Sequence, residues 1–558
     1  MPATGRHRLF VRRIGPRALA TGAGALAAVV ILPLAAVAWN AATPKPEVWV
    51  HLARTLLGEL VVSTIALLAG VGSVTLLIGV SLAWCVAAYE FPGRRVFEWA
   101  LVLPMAMPAY VFGFVMLGAF DYGGPVARLW MSLGGSVADL PEIRSYGGVV
   151  AAMSLVYYPY VYLLARNAFA ERSAAMTEAA RSLGLRPWKA FLRLALPAAR
   201  PAIAAGLALA LMETLADFGT VSLYGYQTFT VAVYRVWFGM FDRVAAGQLA
   251  TTLLIFTMLL LAVERWGRRS ARFTVEEGAA VAMRTVLPRR SAWLVTLLCS
   301  LVVGVAFVIP TTVLVTWTVR AAAGGLQLDL MWRQALNTGV IGLAATAICV
   351  AAALLLAYAG RIGGSRGLAR ATNVALLGYA IPGSVIAVGV LGVLVVADRA
   401  LAAAAGAIGA AAPPLLATSA IGLLFAYVVR FLAVAFLPVQ AGLGRISVAY
   451  DESARSLGAG PGRILRAVHA PLLRGAALTA TILVLVDVMK EMPATMLLRP
   501  FGFDTLAVGI WQATTESLWL QAAPPALAIV ALGTVLVAVL AHGRGASGFA
   551  LASHGPQR

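Results

Sequence analysis

The stretch Glu178-Ala-Ala-Arg-Ser-Leu-Gly184 recurs as Glu452-Ser-Ala-Arg-Ser-Leu-Gly458, 274 residues further along a chain of 558. The same offset carries Thr177 to Asp451, Pro197 to Pro471, Pro108 to Pro382 and Thr64 to Thr338. It also carries Glu213 to Asp487 and Asp217 to Glu491. One ungapped offset linking so many positions marks an internal duplication, so the fold is to be read as two copies of one unit.

The solvent of each copy follows from composition. The chain is 61% hydrophobic and 12% charged, with a mean hydropathy of +0.88, whereas soluble domains carry about 25% charged residues. Such a surface suits lipid, and the apolar runs are long enough to cross the hydrocarbon as helices. Twelve runs stand out, near 18–39, 60–84, 98–118, 147–168, 199–218 and 247–264, then 293–318, 336–358, 372–396, 416–437, 473–490 and 523–541. The expected fold is an all-α integral membrane protein of about twelve transmembrane helices in two pseudo-symmetric halves of six. An even number of crossings makes the two halves parallel, unlike the inverted repeats of many secondary transporters.

Charge sets the orientation. The net charge of +20 is spread between the apolar runs, not gathered in one patch, which argues against a nucleic-acid partner. With the N-terminus inside, 31 of the 43 Lys and Arg residues fall on the cytoplasmic side and 11 outside. That asymmetry places both termini in the cytoplasm of a multi-pass inner-membrane protein. The expected organisation is a basic N-terminus (1–17), a first membrane domain (18–264), a cytoplasmic linker (265–292), a second membrane domain (293–541) and a tail (542–558). Ala36-Val37-Ala38 resembles a signal-peptidase site, but the run before it is longer than the usual h-region, so it reads as a retained first helix. Cys85, Cys299 and Cys349 are far apart in or beside apolar runs and read as structural thiols.

The duplicated motif lies on the arginine-rich side, between the fourth and fifth spans of each half. Thr177 and Asp451 are expected N-caps for short helices that start at Glu178 and Glu452. Small residues follow at Ala179, Ala180, Ser453 and Ala454, keeping one face flat. Gly184 and Gly458 are expected to take the left-handed conformation that ends a helix. Pro197 and Pro471 suit the start of the next span. The expectation is a short lever parallel to the membrane, joined to a pore helix.

The pattern Glu-Ala-Ala, three residues, Gly, nine residues, aliphatic-x-Leu-Pro resembles the signature of type I binding-protein-dependent ABC importer permeases. The first half reads Glu178-Ala179-Ala180, Gly184 and Leu194-Ala195-Leu196-Pro197; the second reads Glu452-Ser453-Ala454, Gly458 and Val468-His469-Ala470-Pro471. The resemblance implies that each short helix docks on a cytoplasmic ABC ATPase dimer and passes its closure to the pore. None of Lys45, Lys189 and Lys490 follows a glycine, so no phosphate-binding loop of the G-x-x-x-x-G-K-[ST] type can form. The five histidines are scattered, and no catalytic constellation is visible. The chain therefore reads as a non-enzymatic permease that binds no cofactor, with ATP and Mg2+ used by the partner.

Glu213 and Asp217 stand at i, i+4 near the outer end of the fifth span, and Asp487 and Glu491 repeat them in the eleventh. The four acids read either as the translocation path or as caps and partners of Arg235, Lys490 or Arg499. Tyr157 and Tyr160, beside Pro159 at mid-depth of the fourth span, are candidate path residues next to a proline break. Glu213-Thr-Leu-Ala-Asp-Phe-Gly-Thr-Val-Ser-Leu-Tyr224, Thr228–Phe238 and Lys490–Ala507 resemble the ferric-iron branch of fused permeases. That implies a periplasmic ferric-binding protein as donor, although thiamine, phosphonates, polyamines and other solutes travel on the same scaffold. Oxygen ligands suit a hard trivalent cation; no resident metal site is assigned. An ion-gradient-driven secondary transporter is the rival reading.

Overall fold

The computed structural model describes residues 16–42, 46–171, 187–269, 284–325, 328–363, 365–409, 413 and 415–542. The first docking segment, 178–184, lies outside them. Ten described helices are long and apolar enough to cross a membrane unbroken. These are the first (Ala18–Asn40), second (Leu57–Ala88), fourth (Tyr146–Ala170), fifth (Phe191–Ala216) and sixth (Arg243–Ala262) spans. In the second half they are the seventh (Arg289–Ala323), eighth (Asp329–Ile362), ninth (Gly383–Ala407), tenth (Ala420–Gly444) and twelfth (Trp519–Val539). The third and eleventh are bent: Arg94–Ala106 meets Ala109–Ser132 at 87°, and Pro461–Leu472 meets Arg474–Lys490 at 73°. Each of the twelve runs read from the sequence thus corresponds to a helix or a bent pair.

Prolines account for the irregular backbone. Met107 and Pro108 are extended (ψ 117° and 145°), and so are Ile381 and Pro382 at the matching places (ψ 132° and 139°). A residue before proline is driven out of the helical region, and proline itself opens the next helix. Pro159 behaves differently from the expected break, because the helix Tyr146–Glu171 runs through it. A π-turn occupies Phe191–Ala195 in one half and Leu465–His469 in the other, 274 residues apart. Pro197 and Pro471 follow each by two residues. They cannot donate to the carbonyls of Arg193 and Ala467, and the wider turn absorbs that defect. Pro197 opens the helix Leu196–Ala216 as expected, but Pro471 lies in Ala470–Leu472, ahead of the bend, and does not start the helix Arg474–Lys490.

The halves exchange helices. One core gathers the second to fifth spans with residues of the seventh (Cys299, Leu314, Trp317) and the twelfth (Ala522, Ala526, Val530). The other gathers the eighth to eleventh spans with residues of the first (Ala23, Ala27, Val30) and the sixth (Leu249, Leu253). Small residues permit the close approaches. A Cβ at Gly206 would meet the Tyr160 carbonyl oxygen at 2.8 Å, and one at Gly389 would clash with that of Pro33. Such contacts hold membrane helices by packing, since lipid offers no hydrophobic drive between them. Two short parallel strands, Tyr89–Glu90 and Thr285–Val286, tie the end of the linker to the end of the second span.

Candidate translocation cavity and docking helix

A cavity of about 90 Å³ lies between the break of the third span, the middles of the fourth and tenth, and the ends of the fifth and eleventh. Glu213, Asp217, Asp487, Glu491, Tyr157 and Tyr160 all line it. The two acids of each pair do not share a helical face, as the sequence suggested. The helix Leu196–Ala216 stops one residue before Asp217, and Arg474–Lys490 stops one residue before Glu491; both acids are extended. They lie level with the middles of the fourth and tenth spans, not at an outer rim. Each then caps a short helix. Asp217 Oδ1 accepts from the Thr220 amide at 2.9 Å and the Val221 amide at 3.2 Å, and Oδ2 accepts from the Thr220 hydroxyl at 2.9 Å. Glu491 Oε1 accepts from the Ala494 amide at 3.0 Å. Both are ordinary carboxylate caps on free N–H groups.

Cations treat the two halves differently. Lys490 Nζ lies 2.8 Å from Asp487, and Arg430 Nε lies 3.2 Å from Glu491 while Nη1 donates to the Ile381 carbonyl at 3.0 Å. Asp487 thus pairs with the lysine three residues on, and the neighbouring Glu491 takes a different cation. Of the other cations considered, Arg499 pairs with Asp504, and Arg235 reaches none of the four acids among the described residues. Glu213 meets the Tyr379 hydroxyl at 3.4 Å and the Tyr160 hydroxyl, and feels Lys490 and Arg430 without a contact ion pair among the described residues.

The tyrosines of the fourth span divide by face. Tyr157 and Tyr160 line the cavity, with ring centroids 6.2 Å apart. Tyr158 and Tyr162 are packed inside, donating to the Leu101 and Glu98 carbonyls at 2.9 and 3.2 Å. Sequence reasoning missed Arg430, Tyr379 and Tyr110 as cavity residues. A lone charge inside an apolar run was the available signal for Arg430, whereas nothing local marked the tyrosines. Among the described residues, no three His, Cys, Asp or Glu side chains converge closely enough to hold a metal ion. The acids surround the cavity without forming a coordination shell.

The second candidate docking segment is the helix Val448–Ser456. It begins four residues earlier than the sequence suggested, and its cap is Ser447, whose hydroxyl accepts from the Ala449 amide at 3.3 Å. Asp451 is therefore not the N-cap. It is buried at 3% exposure and bridges two spans: Arg361 Nε donates to Oδ2 at 2.7 Å, and His469 Nε2 lies 2.6 Å from Oδ1. Arg361 also donates to the carbonyls of Leu443, Ile446 and Ser447. Burial opposes the charge of Asp451, but the hydrogen bonds from Arg361 and His469 prevail and hold its carboxyl below the usual range. Glu452, Ser453 and Ala454 follow on the same helix, with Glu452 and Ser453 exposed. Gly458 has φ +75°, and the amides of Gly458 and Ala459 return to the carbonyls of Arg455 and Ala454, both at 2.9 Å. These two bonds form a Schellman stop, as the glycine foretold.

Residues 75–269 match the family model described as binding-protein-dependent transport system inner membrane component. Over 495 residues the chain is 25% identical to an Fe(3+)-transport system permease protein of Haemophilus influenzae, covering 87% of this chain and 90% of that protein. It is 29% identical over 201 residues to the sulfate transport system permease protein CysT of Escherichia coli, covering 34% of this chain and 71% of that protein. A molybdate/tungstate transport system permease protein of Thermococcus kodakarensis is 28% identical over 201 residues, covering 36% of this chain and 74% of that protein.

Proposed function

We propose that this chain, similar over residues 75–269 to binding-protein-dependent transport inner membrane components and over most of its length to an Fe(3+)-transport permease, moves ferric iron into the cytoplasm as the permease of an ATP-driven importer. The carrying observation is one central cavity ringed by four carboxylates against two cations, Arg430 and Lys490. That balance suits a cation better than the oxyanions named for the sulfate and molybdate relatives. With no three acids converging, the cavity is a conduit that a cargo can leave, and selectivity rests with a periplasmic ferric-binding protein.

A cytoplasmic ATPase dimer supplies the drive, using its own ATP and Mg2+. It docks on Glu452, Ser453, Ala454 and Gly458, and on the matching Glu178, Ala179, Ala180 and Gly184. Pro471 and Pro197 lie where each docking segment joins its pore helix. Closure of the dimer opens the cavity outward, and hydrolysis returns it inward. Both termini face the cytoplasm in this reading. Proteoliposomes holding the chain, its ATPase and a loaded binding protein test it. ATP-dependent accumulation of radiolabelled ferric ion, exceeding that of molybdate or thiamine, is expected. Accumulation that ignores ATP and follows an ion gradient would sink the importer reading, and preference for molybdate would sink the iron reading.

A further inference from the structure

The duplication lets the cavity be compared with itself. Its acids obey the 274-residue offset, but its cations do not: the place of Arg430 is taken in the first half by Val156, and that of Lys490 by Ala216. Both substitutes also line the cavity. Asp487 and Glu491 are thus neutralised by their own half, while Asp217 is met by the turn it caps and by the Tyr157 hydroxyl, with no cation in contact among the described residues. Glu213 forms no contact ion pair among the described residues; it meets only the hydroxyls of Tyr379 and Tyr160, leaving acceptor capacity on a carboxylate that takes about four hydrogen bonds, with Lys490 and Arg430 acting at longer range.

A second observation points to the same cavity. Tyr110 lines the cavity at 5% exposure, and its hydroxyl has no hydrogen-bond partner among the described residues. That hydroxyl lies within electrostatic range of Asp217 and Glu491. A buried donor left free beside carboxylates is uncommon and suits a wet, transiently filled space.

We infer that the cargo-facing charge of the cavity lies on its first-half wall, with Glu213 as the acid that meets a hydrated multivalent cation and Tyr110 as a partner for its water shell. The second-half acids serve to hold Lys490 and Arg430 in place. The contact is outer-sphere, through water, since no coordinating cluster is present among the described residues. This inference rests on the permease reading but not on the identity of the cargo.

The test compares two substitutions that alter formal charge equally, Glu213→Gln and Asp487→Asn, in the reconstituted complex. Terbium(III) serves as a hard trivalent probe, with the cavity tyrosines as antennae for its luminescence, and co-purification with the ATPase reports assembly. Glu213→Gln is expected to weaken terbium binding about tenfold and Asp487→Asn by no more than about twofold, because only the former removes a carboxylate that is not held in a contact ion pair. Glu213→Asp should restore most of the affinity. Equal weakening in both variants, or none in Glu213→Gln, overturns the inference. Ferric uptake measured in the same vesicles separates the two readings: a wild-type complex that binds terbium through Glu213 yet does not accumulate ferric ion overturns the cargo, while this assignment stands.

Discussion

Single side chains decide whether the buried charges stabilise or threaten the molecule. Glu491 neutralises Arg430 at the cavity while capping the helix Pro493–Leu498. Removing one partner of a buried pair strands the other, at a cost of about 3 kcal/mol. Glu491→Gln is therefore expected to lower the melting temperature of the purified permease clearly more than Asp217→Asn, whose carboxylate faces no cation. Similar shifts in both would show that Arg430 is solvated. Asp451 offers a pH test. Its carboxyl is held below the ordinary value of about 3.9, so its contribution is complete above that value and disappears as pH falls through the lower folded one. Hydrogen exchange in 448–456 should accelerate only below about pH 4 in the wild type, but already at neutral pH in Asp451→Asn. Fast exchange in the wild type at neutral pH would refute the anchoring role.

Among elements, the docking helix was the most legible and also the most instructive in its errors. Gly458 announced its stop because a left-handed residue with open space around it favours glycine. Its start was misread: Asp451 looked like a cap by residue type, but distant Arg361 and His469 claimed its carboxylate. The i, i+4 spacing of the cavity acids likewise assumed a helix that ends one residue too soon. Periodicity reports what a helix would present, and it cannot register the break at Pro108 that brings Tyr110 to the cavity beside Tyr157. At this scale, replacing Gly184 and Gly458 together with valine should abolish ATP-dependent uptake while membrane insertion persists. At Gly458, whose φ is positive, forcing in a β-branched residue costs on the order of 2 kcal/mol. Unchanged uptake by that double variant would exclude the lever.

For the molecule as a whole, duplication and span number were plain from the sequence, whereas the exchange of helices was not, because hydropathy marks that a helix is apolar and not which neighbour it meets. Each core borrows two spans from the opposite half. Cutting the chain within 265–292 should therefore give fragments that are rapidly degraded when expressed singly and form a protease-resistant pair when expressed together. A stable, monodisperse first fragment on its own would contradict the exchanged cores. The borrowed twelfth span also imposes an order on biosynthesis. Helices are threaded into the bilayer from the N-terminus, yet the core around Val111, Phe114 and Tyr158 is completed by Ala522, Ala526 and Val530. The earlier-made half must wait, inserted but unfinished, until the twelfth span has left the ribosome.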